Sequence, residues 1–441
     1  MAIGQDLLLE WKNSKIIGII GLGDMGLLYA RRFSQDGWKV VGCDREDQFE
    51  STKAKYKDEQ FEILLNGHHV SRVSDYVIYS VEAENIKNIV KAYAPSTKVG
   101  AIVGGQTSCK GPEIEAFEEY LPKDVDIVSV HSLHGPKVNT TGQPLVIINH
   151  RASQESVNFV KSLVSCLKSK VVELTADEHD KITADTQAVT HAAFLSMGVA
   201  WHKMKYYPWK STRWIGGLEN AKINISLRIF SNKWHVYAGL AITNRSAHKQ
   251  IMQYSQSATD LFKLIIEGKH DELRERLYKA KEFVFGHLGE DHELLLDDKL
   301  LEKFSLNREP PGPRQPNSHL SLLAIVDSWY QLGIVPYDHM ICSTPLFRIL
   351  LGVSEYLFCT PGLLESALSE GVTETAFRPD DLEFTISARN WSNLVSFGDF
   401  QLYRREFEAT QEFFAPNFEE ATKLGNDMIK TILSHKGADK Q

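Results

Sequence analysis

The chain is poor in the features that usually mark a secreted, membrane or nucleic-acid-binding protein. Its five cysteines in 441 residues (Cys43, Cys109, Cys166, Cys342, Cys359) are scattered, with no C-x-x-C pair. That spacing offers neither a disulfide framework nor a zinc signature, and it suits reduced thiols in the cytoplasm. No apolar run approaches a membrane span, and the opening "MAIGQDLLLEWKNSK" has the wrong layout for a signal peptide. A basic surplus is also missing. The formal net charge of −8 argues against a nucleic-acid partner. What remains is an ordinary globular composition, 43% hydrophobic and 24% charged. At this length it predicts about two or three domains of a soluble, cytoplasmic protein.

Against that plain background one stretch stands out, "KIIGIIGLGDMGLLYARRFSQDGWKVVGCDRED" (15–47). A β-branched run, Lys15 to Ile20, leads into Gly21-Leu22-Gly23-Asp24-Met25-Gly26 and a helical pattern to Gln35. A second run, Lys39 to Cys43, ends in Asp44. Strand, glycines, helix, strand and acid in that order predict a dinucleotide-binding unit with residues 21–26 around the pyrophosphate. The helix N-terminus adds free N–H groups and a positive dipole end. Asp44 would hold the ribose hydroxyls of NAD, whereas Arg45 beside it can pair with the 2′-phosphate of NADP. The plain alternative is an Arg45 that simply faces solvent.

Further apolar runs at 75–81, 98–105, 126–130 and 144–150, with helical stretches between several of them, extend this unit. They predict a doubly wound, mostly parallel sheet, whose ligands lie beyond the carboxyl ends of the strands. Ser108 and Lys110 in "GGQTSCKGP" follow one strand end, and His131 in "DIVSVHSLHGPKVN" follows another. His131 and His134 lack a neighbouring cysteine or carboxylate set, so no metal is expected. Histidine is the usual group for proton work near neutral pH. His131, directly after the strand, is the better fixed of the two, and His134 reads as a loop residue.

Taken together these motifs resemble the prephenate dehydrogenases. "VHSLHGP" is similar to their histidine-led loop, "TSCK" to their Ser-Val-Lys turn, and "EHDKITADTQAVTHAAFLS" (178–196) to the opening of their helical domain. The resemblance spans nearly the whole chain and is nearest to the longer, NADP-linked fungal members. Ser132 stands where bacterial members usually have proline, which implies a less rigid loop. The resemblance implies oxidative decarboxylation of prephenate to 4-hydroxyphenylpyruvate with NADP, in tyrosine biosynthesis. It makes His131 the general base for the ring hydroxyl, with Ser108 binding the same oxygen or orienting the imidazole. It also places His191 beside the substrate, with Gln187 one turn earlier on the same face. By its residues alone, a lone histidine on an apolar helix is more often core. Arg245 and Lys249, in "LAITNRSAHKQIM", are the cations available to a substrate carboxylate. A solvated helix face fits them equally well. Arogenate dehydrogenase is the neighbouring alternative. A non-catalytic NADP(H) sensor is the alternative from another class, and it has no need of Ser108 and His131.

From Thr175 onward strands give way to helical periodicity, and "SLNREPPGPRQPNS" (305–318), with four prolines, reads as a linker. The two sides of it echo one another. "QAVTHAAFLSMGVAWHKM" (187–204) matches "QPNSHLSLLAIVDSWYQL" (315–332), "SLRIF" (226–230) matches "LFRIL" (346–350), and "ITNRSAHKQ" (242–250) matches "ISARNWSNL" (386–394). The offsets are 128, 120 and 144, and the matches keep their order. They predict an internal duplication. The bacterial relatives are homodimers, so a second helical copy implies a pseudo-dimeric monomer, with Arg389 and Trp391 capping the site or reaching substrate. The expected fold class is therefore an α/β Rossmann-type domain followed by a duplicated all-α part. Its expected divisions are a dinucleotide-binding domain (1–174), a helical domain (175–304), the linker (305–318) and a second helical domain (319–441) derived from 187–270. The faces of "THAAFLSMGVAW" and "SHLSLLAIVDSW" are expected to pack together.

Overall fold

The Ile-rich run after Lys15 has no polar alternation, as a strand buried on both faces requires. In the computed structural model it is β1 (Ile16–Ile20), with Ile17 and Ile19 in one apolar cluster and Ile20 in another. The structure describes residues 4–136, 138–210, 217–289, 292–296, 300, 302–304, 306 and 316–434. The chain divides into two units, Met1–Lys181 and Ile182–Gln441.

The first unit is built on one sheet of β1, β2 (Lys39–Cys43), β3 (Glu62–Ile63), β4 (Tyr76–Tyr79), β5 (Ile102–Gly105), β6 (Asp126–Ser132), β7 (Pro144–Arg151) and β8 (Lys170–Glu173), in the order β3-β2-β1-β4-β5-β6-β7-β8. Every neighbouring pair is parallel except β6 and β7. The strand order reverses at β1, which puts a crevice beyond its carboxyl end, over Gly21. β3 and β8 were not foreseen: one is two residues long and the other largely exposed, so neither carries a hydrophobic period.

β6 also runs further than expected. His131 is a strand residue opposite Val146 of β7, not the first residue of a loop. Ser132 is buried, and its hydroxyl lies 2.7 Å from that of Tyr29, on the helix Asp24–Gln35. The slack implied by losing proline does not arise, because strand pairing and this hydrogen bond fix the position instead.

The second unit is helical throughout its described residues and shares one apolar core, so the segments 175–304 and 319–441 do not form separate compact units. One series of helices is Val189–Lys203, Gly217–Phe230, His235–Thr243, Arg245–Ile266 and His270–Phe285, of 15, 14, 9, 22 and 16 residues. A second is Leu320–Leu332, Pro345–Cys359, Leu363–Thr373, Arg378–Phe397 and Phe400–Phe414, of 13, 15, 11, 20 and 15 residues. Their packing is reciprocal. Val189–Lys203 lies along Arg378–Phe397, Leu320–Leu332 along Arg245–Ile266, and the two long helices along each other.

Two details depart from expectation. Val189–Lys203 and Leu320–Leu332 barely touch, because each packs on the other's long helix. Of the sequence echoes, only the first keeps register with the helices. "SLRIF" ends its helix while "LFRIL" opens its own, and Arg245 begins a helix while Arg389 lies inside one. By helix order Arg245 corresponds to Arg378, each the first residue of its helix. The proline-rich stretch 305–318 lies outside the described residues, apart from Leu306 and residues 316–318. No single described helix is long and apolar enough to cross a membrane.

Candidate active site

The glycine turn has the shape a dinucleotide needs. Gly21 sits at φ +98°, where a Cβ would come 2.3 Å from the Ser80 carbonyl oxygen. At Gly26 a Cβ would come 2.0 Å from the Gly21 oxygen, so only glycine lets the helix rest on the turn. Gly23 faces open space, and the helix that follows has no side-chain cap. Its first N–H groups are thus left for an anion, which fits a pyrophosphate. Leu22 is buried and Met25 packs on the same core, so both offer backbone rather than side chain, while Asp24 is exposed. At the end of β2, Asp44 accepts the Arg45 N–H at 2.9 Å. The Arg45 guanidinium is exposed and grips Asp47 at 2.6 and 3.1 Å. An exposed pair of this kind is worth little, so Asp47 can be exchanged for a phosphate.

Two strands further along, a buried charge pair holds the ends of β5 and β6 together. Lys110 has no exposed surface, and its ammonium donates to Glu113 Oε1 at 2.9 Å and to the Gly105 and Val130 carbonyls at 3.0 Å. Glu113 also accepts from the Thr107 N–H at 3.0 Å, the Thr107 hydroxyl at 2.6 Å and the Ser129 hydroxyl. Such a pair is tolerable in the core only because every donor and acceptor is met. Gly105 leaves the room for it, since a Cβ there would fall 2.2 Å from Glu113.

On this frame stands His131, half-buried, with Nδ1 2.8 Å from Nε2 of His179. His179 is fully buried, and its Nδ1 lies 2.8 Å from Asp180 Oδ1. The Asp180 carboxylate in turn accepts the Lys110 and Gly111 N–H groups, each at 2.7 Å. Burial first, then His179, Lys110 and His134 nearby, pushes the His131 pKa well below its usual value. Its Nε2 makes no protein contact among the described residues. Ser108 is half-buried and makes no hydrogen bond among the described residues, so the imidazole is oriented by His179 and not by Ser108. His134 binds only the Gly135 carbonyl in its own turn, at 3.0 Å.

The sequence reading overlooked His179 and Asp180. The available signal was an adjacent His-Asp pair at the start of a helix, in a stretch read only as a domain opening.

In the helical unit a single π-turn, Ala184–Ala188, precedes the helix that carries His191. Gln187, on that turn, is buried with no partner for Nε2, and His191 Nδ1 is likewise buried and unpartnered among the described residues. The His191 ring stands edge-on to Tyr237, centroids 4.7 Å apart, and burial pushes its pKa down to about 3. Asp185 on the same turn accepts from Gln250 and lies 3.1 Å from His339 Nε2, two partners not foreseen from sequence. Arg245, Lys249 and Arg389 are all exposed, with no ion pair among the described residues.

Comparison with known proteins agrees with the motifs. Residues 16–125 match the model of the NAD binding domain of 6-phosphogluconate dehydrogenase. Residues 188–434 match a model of the 6-phosphogluconate dehydrogenase C-terminal domain. The chain is 65% identical to the prephenate dehydrogenase [NADP(+)] of Saccharomyces cerevisiae, over 98% of this chain and 97% of that one. It is 57% identical to a probable prephenate dehydrogenase [NADP(+)] of Schizosaccharomyces pombe, over 96% and 99%. A crystal structure of prephenate dehydrogenase from A. aeolicus superposes on 60% of this chain and 96% of its own, at 19% identity and a TM-score of 0.49. The chain belongs to the prephenate dehydrogenase [NADP(+)] family.

Proposed function

We propose that this chain converts prephenate to 4-hydroxyphenylpyruvate and CO₂ with hydride transfer to NADP⁺, as a step toward tyrosine. The observation that carries this reading is a neutral imidazole, His131, whose bare Nε2 lies at the carboxyl ends of the strands, the side of the sheet that holds the glycine cradle. Residues 21–26 hold the pyrophosphate, Asp44 the ribose, and Arg45 the 2′-phosphate. Bound there, NADP⁺ supplies the hydride acceptor. His131 Nε2 accepts the ring hydroxyl's hydrogen bond and takes its proton as the C–H bond on the same carbon breaks. At the opposite ring carbon the bond to the carboxylate breaks, its electron pair enters the ring, and CO₂ leaves. The proton returns from His131 to the phenolate oxygen, so none is consumed. Ser108, beside the same oxygen, steadies it. In the helical unit, the unpartnered donors on Gln187 and His191, with the exposed cations Arg245, Lys249 and Arg389, are assigned to the substrate carboxylates.

His131→Asn tests this assignment. It keeps the size and loses the base, so kcat should fall roughly a hundredfold or more while prephenate binding changes little. Turnover within threefold of the native enzyme would reopen the question of the base.

We also infer that Ile182–Gln441 is a duplicated helical unit closed on itself, so that the chain works as a pseudo-dimeric monomer. Supporting this are the two helix series of matching lengths and their reciprocal packing. A two-fold interface uses one patch twice, and a chain carrying both copies can close it internally. Light scattering should give the mass of one chain, and a stable dimer through Val189–Lys203 would overturn this. The five free cysteines suit the reducing cytoplasm.

A further inference from the structure

We propose that His179 and Asp180 are positioning residues which, with His131, form an Asp–His–His relay that makes Nε2 of His131 the only basic nitrogen. This rests on the reading of His131 as the base. The argument starts at the carboxylate. Asp180 is tied by two backbone N–H groups, from Lys110 and from Gly111 at the start of the helix Gly111–Tyr120. Although burial works to raise its pKa, His179 and those two donors hold it below the usual carboxylate range. An ionised carboxylate only accepts, so Nδ1 of His179, 2.8 Å away, must be the donor.

Burial, with Lys110 beside it, outweighs the pull of Asp180 and keeps the His179 pKa low. A neutral His179 with its proton on Nδ1 has a lone pair at Nε2. The only partner that suits a lone pair 2.8 Å away is a proton on Nδ1 of His131. The lone pair of His131 is then confined to Nε2, the nitrogen without a protein partner. Any other tautomer places two protons or two lone pairs face to face.

The relay also acts during the reaction. When Nε2 takes the hydroxyl proton, the positive charge on His131 is stabilised through His179 by Asp180. The other ionisable groups facing the pair are Lys110, whose charge is matched by Glu113, and His134. Neither can replace Asp180 in this role, because neither is bonded to the two imidazoles.

The test is a pair of substitutions read by kcat, KM and pH profile. His179→Leu removes the acceptor and frees the His131 ring, so kcat should fall about a hundredfold, with KM for prephenate and NADP⁺ within about threefold. His179→Gln places an amide oxygen near the lost Nε2 and should recover at least tenfold of that loss. Without the link to Asp180 its imidazolium is less stabilised, so the acid limb of kcat/KM should move to lower pH by roughly one unit. A purely structural His179 would leave Leu and Gln equally impaired with the limb unmoved, and that result overturns the relay. So does a Leu variant within threefold of native. If the Leu variant does not fold, the Gln profile decides alone, and an unshifted limb refutes the proposal. A crippled His131→Asn beside near-native His179 variants defeats the relay only, whereas a near-native His131→Asn defeats the reading beneath it.

Discussion

Two polar clusters in this protein treat burial in opposite ways. Around Lys110 and Glu113 in the sheet unit every buried charge is met, and the relay from Asp180 to His131 ends in one free nitrogen. In the helical unit Asp185 is paired, yet Gln187 Nε2 and His191 Nδ1 are buried with no partner among the described residues. An unmet buried donor costs on the order of 1–3 kcal/mol, so it persists where a ligand completes it. The sheet unit therefore carries finished proton machinery. The helical unit carries half of a binding site.

That contrast can be broken by substitution. The largest effect is expected at Lys110. Lys110→Met leaves Glu113 charged and unpaired in the core, which should cost about 3–5 kcal/mol in urea-induced unfolding. Adding Glu113→Leu should return much of it. A loss below about 1 kcal/mol for the single variant would mean that the sheet cluster is not held by its charge pair.

Gln187→Leu should do the reverse. Because the amide is unmet in the free protein, stability should hold or rise, while KM for prephenate rises about tenfold. Lower stability with unchanged KM would place Gln187 in the core rather than the site. The smallest effect belongs to the exposed Arg45. Arg45→Ala should raise KM for NADP⁺ several-fold and leave that for NAD⁺ level or lower, because the lost contact is to the 2′-phosphate alone. Equal movement of both would make Arg45 indifferent to the cofactor's phosphate.

How legible each part was follows from the distance between the residues involved. The glycine cradle was legible because its demands are local: a positive φ at Gly21 and a close approach at Gly26 are set by neighbours a few residues away. His131 was legible as a histidine at a strand end. Its orienter was not. His179 lies 48 positions on, and the partner expected from the motif, Ser108, is not the one that binds it. The helical repeat was legible in its first third, where His191 and Trp201 keep step with His319 and Trp329. Farther on, short echoes misplaced the register, since Arg245 opens a helix and Arg389 does not.

By itself the sequence determined what depends on neighbours in the chain. That includes the strand and helix periods, the glycine turn, the acidic end of β2, and the family motifs. Tertiary structure decided what depends on elements meeting across the fold. It brought Asp180 to the start of the helix Gly111–Tyr120 and so selected a tautomer two imidazoles away. It buried His131 and thereby made it neutral. It also drew both helix series into one core rather than two domains. The physical reason is that periodicity and backbone sterics act over a few residues, whereas desolvation and hydrogen-bond partnership exist only once distant segments exclude water together.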